Sequence, residues 1–353
     1  MKRIIKGEVI PAELSFIRPA GTSRGIYTKR KLWYIYLYSD DGSVGIGECA
    51  PLPQLSCDDI PDYADKLREV VATTLRTQIV DREGLRSFPS MLFGLETAVR
   101  HLECSSFALW NTPFARGEEG IVINGLIWMG DYDYMKEQIE EKIAQGFRCI
   151  KLKIGAIDFE KELSLLQMIR HDFDRSQIEL RVDANGAFAP DEALSRLEQL
   201  SGLDLHSIEQ PIRQGQYGAM RRLCAESPLP IGFDEELIGV NAYNDKVRLL
   251  EELKPQYIIL KPSLHGGISG CNEWIGIARS MGIGWWITSA LESNVGLNAI
   301  AQYAERHDLQ MPQGLGTGKL FTDNATIPLE IKGDRLWFNP LEVLPATKEI
   351  LPL

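Results

Sequence analysis

The chain has 353 residues, more than a single hydrophobic core usually organises, so one large barrel or two domains is expected. With 44% hydrophobic and 25% charged residues its composition is that of an ordinary globular protein. A net charge of −11, with no basic stripe to offset it, argues against nucleic acid or another polyanion and leaves a small molecule as the expected partner.

In chain order, an extended segment to about residue 17, a run over 32–38 rich in aromatic and β-branched residues, and a run over 44–48 predict antiparallel β structure. Asp40-Asp41-Gly42 between the last two suits a tight hairpin, because glycine tolerates positive φ. Helices are predicted over 58–75 and 90–110, the second with apolar residues at Leu92, Leu95, Val99 and Leu102. Residues 1–115 therefore form an α+β module.

From Ile121 the pattern changes to short apolar runs alternating with amphipathic helices. The runs end near Leu126, Lys153, Asp183, Glu209, Asp234, Lys261, Ser289 and Gln313. After the first, the ends lie roughly 25 to 30 residues apart, the length of one parallel βα unit. A helix over 134–145, stopped by Gly146, illustrates the unit. Eight units over 116–326 predict a barrel, α/β in class and of the (β/α)7β TIM type. A doubly wound sheet would want a phosphate-binding glycine fingerprint, which residues 125–130 do not supply. The tail, 327–353, adds an extended piece at 336–338 and is expected to return to the N-terminal module and complete it.

Two bulk features bear on location. Residues 1–11 lack the roughly 7–15-residue apolar run of a secretory signal, and no later stretch approaches the ~18 apolar residues of a membrane span, so a cytoplasmic protein without membrane association is expected. The six cysteines are scattered with no C-x-x-C pair, which predicts free thiols. Oligomeric state is not legible.

In a (β/α) barrel the reacting groups sit at the C-terminal strand ends, where the βα loops open into a common mouth. Those ends carry Lys151-Leu152-Lys153, Asp183, Glu209, Asp234 and Lys261. One such carboxylate alone is more often a helix cap. Three on consecutive strands are another matter, because closure gathers them, and their mutual repulsion then calls for a cation. All-oxygen ligands suit Mg²⁺, with Mn²⁺ a possible substitute. Lys153 and Lys261 flank the triad in strand order and should face each other across the metal. Lys151 shares the face of Lys153, and the positive charges of Lys151 and the metal favour a neutral amine at Lys153, fit to act as a base. An amine alone cannot deprotonate the carbon beside a carboxylate, since a dianionic enediolate is too unstable; a divalent cation supplies what is missing. The constellation therefore predicts proton abstraction α to a carboxylate. The pairing of a Lys base with Mg²⁺ in enolase-superfamily sites is a stated example of that general rule.

With these residues the chain resembles the muconate-lactonizing subgroup of the enolase superfamily, and within it the family of o-succinylbenzoate synthases. The likeness rests on Gly45-Ile46-Gly47-Glu48-Cys49-Ala50-Pro51-Leu52, the Lys-x-Lys pair, the three carboxylate motifs, Lys261-Pro262-Ser263 and Ser289-Ala290-Leu291-Glu292-Ser293. It implies that 1–115 is a capping domain over the barrel mouth, that Lys153 is the base and that Lys261 stabilises the enediolate. It further implies a syn dehydration that aromatises a cyclohexadiene carboxylate to 2-succinylbenzoate for menaquinone synthesis. The rivals of the same subgroup are racemisation of N-succinylamino acids and epimerisation of dipeptides, with both lysines as bases. Dipeptide epimerases of the subgroup carry an Asp-x-Asp at the eighth strand for the substrate ammonium, whereas residues 312–318 here, Pro-Gln-Gly-Leu-Gly-Thr-Gly, hold no carboxylate. Substrate contacts are expected from Lys151, Ser263, Ser289 and the 18–25 loop, with Thr22, Ser23 and Arg24 near a succinyl carboxylate. Asn185 and Glu235 are expected to support the metal ligands from behind.

Overall fold

The computed structural model describes residues 2–22 and 25–341. Strands β1 (Ile4–Thr22), β2 (Gly25–Ser39) and β3 (Val44–Cys49) form an antiparallel meander in that order. Its alternation explains why the run over 32–38 is apolar at nearly every position: Leu32, Tyr34 and Tyr36 join one core, while Ile35 and Leu37 join a second. The sheet is thus buried on both faces. Helices α1 (Tyr63–Thr77) and α2 (Pro89–Cys104) cover the second face through Leu67, Val71, Leu95 and Leu102. Gly45 and Gly47 let α2 lie against β3, since a Cβ at either would overlap the carbonyl oxygens of Ala98 and Gly94.

The first helix starts five residues later than its apolar spacing suggests. Asp58 is not its cap; its carboxylate accepts from the Ser90 backbone N–H at 2.8 Å and from the Ser90 hydroxyl, pinning the start of α2. The segment 18–25, expected as a loop, is mostly strand. After a register shift between Ser15 and Ala20 the pairing resumes at Ala20↔Tyr27, Gly21↔Ile26 and Thr22↔Gly25. Arg18 and Pro19 lie exposed on this arm, so the apolar alternation that marks a strand is missing there.

β4 (Ile121–Val122) leads into a parallel sheet. Its strands are β5 (Gly125–Ile127), β6 (Cys149–Lys153), β7 (Glu179–Asp183), β8 (Ser207–Glu209), β9 (Ile231–Phe233), β10 (Tyr257–Leu260) and β11 (Gly284–Ile287), hydrogen-bonded in sequence order. Helices α3 (Tyr132–Ala144), α4 (Phe159–Asp172), α5 (Ala193–Ser201), α6 (Tyr217–Glu226), α7 (Tyr243–Leu253), α8 (Gly267–Ser280) and α9 (Asn294–Ala304) alternate with them. The curl brings the two edges of the sheet to one segment. Gly314 bridges Thr288 beyond β11, and Gln313 bridges Ile123 ahead of β5, both in parallel. Every predicted run end from 153 to 289 falls within two residues of the end of a strand.

β12 (Leu329–Lys332) and β13 (Arg335–Phe338) form a hairpin that pairs with β4, in the order β12-β13-β4. The hairpin thus pairs with β4 and not with the meander, while its Phe338 packs against Phe114 of the N-terminal module, ring centroids 6.1 Å apart. The contact with β1 is made earlier, by 320–323: Ile17 donates to the Leu320 carbonyl at 2.8 Å and Thr322 to that of Ser15 at 2.9 Å. Phe16 against Phe321, ring centroids 4.6 Å apart, supplies the apolar reason. The tail beyond 341 lies outside the described residues.

Arg30 on β2 fastens the meander to the loop after β11. Fully buried, it donates to the carbonyls of Leu291 at 3.0 Å and Pro51 at 2.6 Å, and to that of Ala50. Arg30→Met leaves these acceptors buried without donors, each worth roughly 1–3 kcal/mol. A loss of about 3 kcal/mol or more in urea unfolding is expected, and an unchanged midpoint would contradict the role.

Candidate active site

The register of the parallel sheet aligns the charged strand ends. Lys153 is paired with Asp183, and Asp183 with Glu209, so three neighbouring strands deliver charge at one level. Asp234 and Lys261 follow directly after β9 and β10. The side chains meet in a buried network. Lys151 bridges Glu209 at 2.6 Å and Asp183 at 2.9 Å. Lys153 lies 3.3 Å from Asp183 and donates to Asn185 at 2.7 Å, and Asn185 donates to Glu235 at 2.9 Å. Across the mouth Lys261 pairs with Asp234. His265 accepts from the Lys261 backbone N–H at 2.9 Å and fixes the turn that follows.

Electrostatics follow from burial and crowding. Burial, then the charges of Asp183 and Asp234, hold the Glu209 carboxyl well above the ordinary carboxylate range. Burial would raise Asp183 too, but Lys151 and Lys153 keep it below that range. Glu235 is pushed up to about 7 by burial and by Asp234 and Asp183. Burial works against the charged forms of Lys151 and Lys261, yet the carboxylates around each raise both above the usual lysine value.

These residues suit a hard divalent cation by donor chemistry. Glu209 Oε1, Asp234 Oδ1 and Glu235 Oε2 are buried carboxylate oxygens without a hydrogen-bond partner, the kind of group an oxygen-seeking ion would satisfy. In the conformation described, no three acidic, His or Cys side chains among the described residues are already gathered around one point. The carboxylates are drawn instead onto lysines.

The cavity above this network is lined by Lys151, Lys153, Asp183, Asn185, Glu235 and Lys261 at its floor. Asn185 and Glu235 line the cavity themselves while being bonded to each other. Ser289 also lines it, hydrogen-bonded to Thr317 at 2.6 Å. Ser263, expected as a substrate contact, does not. It is fully buried and its hydroxyl donates to Glu292, because the turn after β10 points it into the protein. Thr22 lies in β1, where its side chain is not described, and Ser23 and Arg24 fall outside the described residues.

Sequence reasoning missed the apolar walls, among them Tyr27, Trp128 and Trp286. The Trp128 ring centroid lies 5.9 Å from Lys153 Nζ. Its position just past β5 matches that of the ionisable residues on later strands, which is the signal that could have found it. Glu48, one of the residues that carry the resemblance, has a role the motif does not announce: it accepts from the backbone N–H groups of Ser293 and Gly296 at 2.8 Å each and so caps the start of α9 from the N-terminal sheet.

Comparison with known proteins agrees with this arrangement. Residues 134–324 match the enolase C-terminal domain-like family. The chain is 47% identical to an o-succinylbenzoate synthase of Desulfotalea psychrophila, over 92% of this chain and 96% of that one. It is 24% identical to an L-Ala-D/L-Glu epimerase of Bacillus subtilis over 86% of this chain and 85% of that one. The crystal structure of MenC from Desulfotalea psychrophila superposes with a TM-score of 0.80 at 42% identity, covering 95% of this chain and 99% of its own.

Proposed function

The chain belongs to the enolase C-terminal domain-like family, and from that premise we propose that it catalyses the o-succinylbenzoate synthase reaction as a cytoplasmic step of menaquinone biosynthesis. The reaction is the syn elimination of water from 2-succinyl-6-hydroxy-2,4-cyclohexadiene-1-carboxylate to give 2-succinylbenzoate. What carries this reading is the placement of Lys153 and Lys261 on two sides of one buried carboxylate cluster. The 47% identity across nearly the whole chain supports the choice of reaction.

Asp183, Glu209 and Asp234 would hold Mg²⁺, or Mn²⁺ in its place, and the ion would supply Lewis-acid stabilisation to the substrate carboxylate as negative charge develops there. Lys153 Nζ takes the proton from the carbon bearing that carboxylate. The resulting ammonium stays on the same face of the ring and returns the proton to the departing hydroxyl, which makes the elimination syn. Lys261 keeps its charge, raised as it is by its carboxylate neighbours, and stabilises the enediolate from the opposite side. Lys151, tied between Asp183 and Glu209, is a fixed positive charge beside the base. Trp128, Trp286, Leu52 and Leu291 surround the ring with apolar surface and exclude water.

On this reading residues 1–115 cap the mouth of a (β/α)7β barrel over 116–326, with 327–353 following it, and the bridges at Gln313 and Gly314 support closure. No helix among the described residues is long and apolar enough to cross a membrane. The epimerase likeness is distant, and Gly314, Gly316 and Thr317 of the eighth segment line the cavity without a carboxylate for a dipeptide ammonium.

The test is aromatic-product formation from the cyclohexadiene substrate in the presence of Mg²⁺. A rise in product absorbance is expected. Failure of a metal-loaded, folded sample to form it, together with exchange of the α-proton of N-succinylamino acids in D₂O, would replace the dehydratase with a racemase.

A further inference from the structure

A second cavity, of about 480 Å³, adjoins the mouth. Asn124, Leu126, Trp128, Gly316 and Thr317 line both, so the two meet along a shared border. Arg18, Lys142 and Lys319 line the second cavity beyond this border. We propose that this groove receives the distal carboxylate of the substrate's side chain, with Arg18 and Lys319 as its main counter-charges. The inference rests on the reaction proposed above, whose substrate carries two carboxylates, and it locates the end remote from the chemistry.

Three observations carry it. The first is the main-chain bond from Ile17 to the Leu320 carbonyl, 2.8 Å long, which fastens the β1 arm to the eighth segment and sets Arg18 and Lys319 side by side as sequence neighbours of the bonded pair. Both also line a smaller recess together with Trp128 and Tyr134.

The second is their lack of acidic partners. Neither Arg18 nor Lys319 makes an ion pair among the described residues, and Arg18 rests over the Tyr134 ring at 5.6 Å. Lys142 donates only to Gln145 at 3.2 Å and lies 5.4 Å from the Phe147 ring centroid. The one acid in the groove, Glu141, is held by the Gln145 side chain at 2.7 Å. An arriving anion would supply the partner that Arg18 and Lys319 lack.

The third observation is mutual repulsion. Burial lowers Lys142 from the usual lysine value, the charge of Glu141 raises it, and that of Lys319 lowers it, so the two ammonium groups lie close enough to feel each other. The opposite end of the substrate belongs at the carboxylate cluster, which repels anions until a cation is present. The two ends of the molecule are thereby told apart.

The experiment crosses residue with ligand charge. Lys319→Met, Arg18→Met and their combination would be assayed with the dianionic substrate. Binding of 2-succinylbenzoate and of its side-chain methyl ester would be followed by calorimetry. The combined variant is expected to raise KM and weaken binding of the diacid about tenfold, to leave kcat within about twofold, and to leave ester binding unchanged. Lys319→Arg should restore most of the loss. Equal losses for diacid and ester, or no loss for either, would overturn the assignment. Because the binding arm needs no turnover, it stays informative if the wild-type chain forms no aromatic product, and failure of the groove is then distinguished from failure of the proposed reaction.

Discussion

Lys153→Ala should lower formation of the aromatic product by about 10³-fold or more, in line with the upper range for loss of a positioned proton-transfer group. The amine is the group proposed both to take the α-proton and to return it, so its removal disables two steps at once. Collapse of the fold is not the expected cause. Asp183 keeps Lys151 at 2.9 Å, and the hydrogen bond from Asn185 to Glu235 survives. The matching measurement is a thermal melt alongside the turnover assay. A variant that melts with the wild type and turns over at full rate would remove Lys153 from the mechanism.

The second large effect is on the metal. Asp183→Asn and Glu209→Gln should each weaken Mg²⁺ binding by at least about 100-fold, judged against the 10–100-fold lost when a group behind the ligands is removed. Removal of the ion with a chelator should abolish turnover, and added Mg²⁺ should restore it. The physical reason is crowding: burial and two neighbouring carboxylates hold Glu209 well above the ordinary carboxylate range, and its Oε1 has no hydrogen-bond partner. A cation relieves both conditions, so it should also raise the melting temperature. Undiminished turnover by a metal-free sample would defeat the proposal, and calorimetry that finds equal affinity in the variants would defeat the ligand set.

Much of the candidate site was legible because each candidate residue sits at the end of its own apolar run, and the spacing of the runs fixes the strand order. Lys153, Asp183 and Glu209 needed no more than that, since a parallel sheet in register does the rest. Ser263 misled because a strand-end motif gives proximity but not side-chain direction, and the turn after β10 buries it against Glu292. Trp128 escaped notice because an aromatic residue at a strand end reads as core. The arm over 18–25 reads as a loop because Arg18 and Pro19 are exposed in succession, which leaves no alternating signal. Glu48 and Ser293 stand 245 residues apart, and nothing local to either announces the other.

The fastening of the meander to the loop after β11 has a consequence for how this architecture can be recombined. Arg30 and Glu48 hold the backbone of 290–296 from outside the parallel sheet. A chimaera that joins the first half of this chain to the second half of a distant relative would need compatible residues at both seams. Substrate preference should therefore pass between relatives as a matched pair of segments, and a transplanted barrel alone would arrive with part of its rim unsupported.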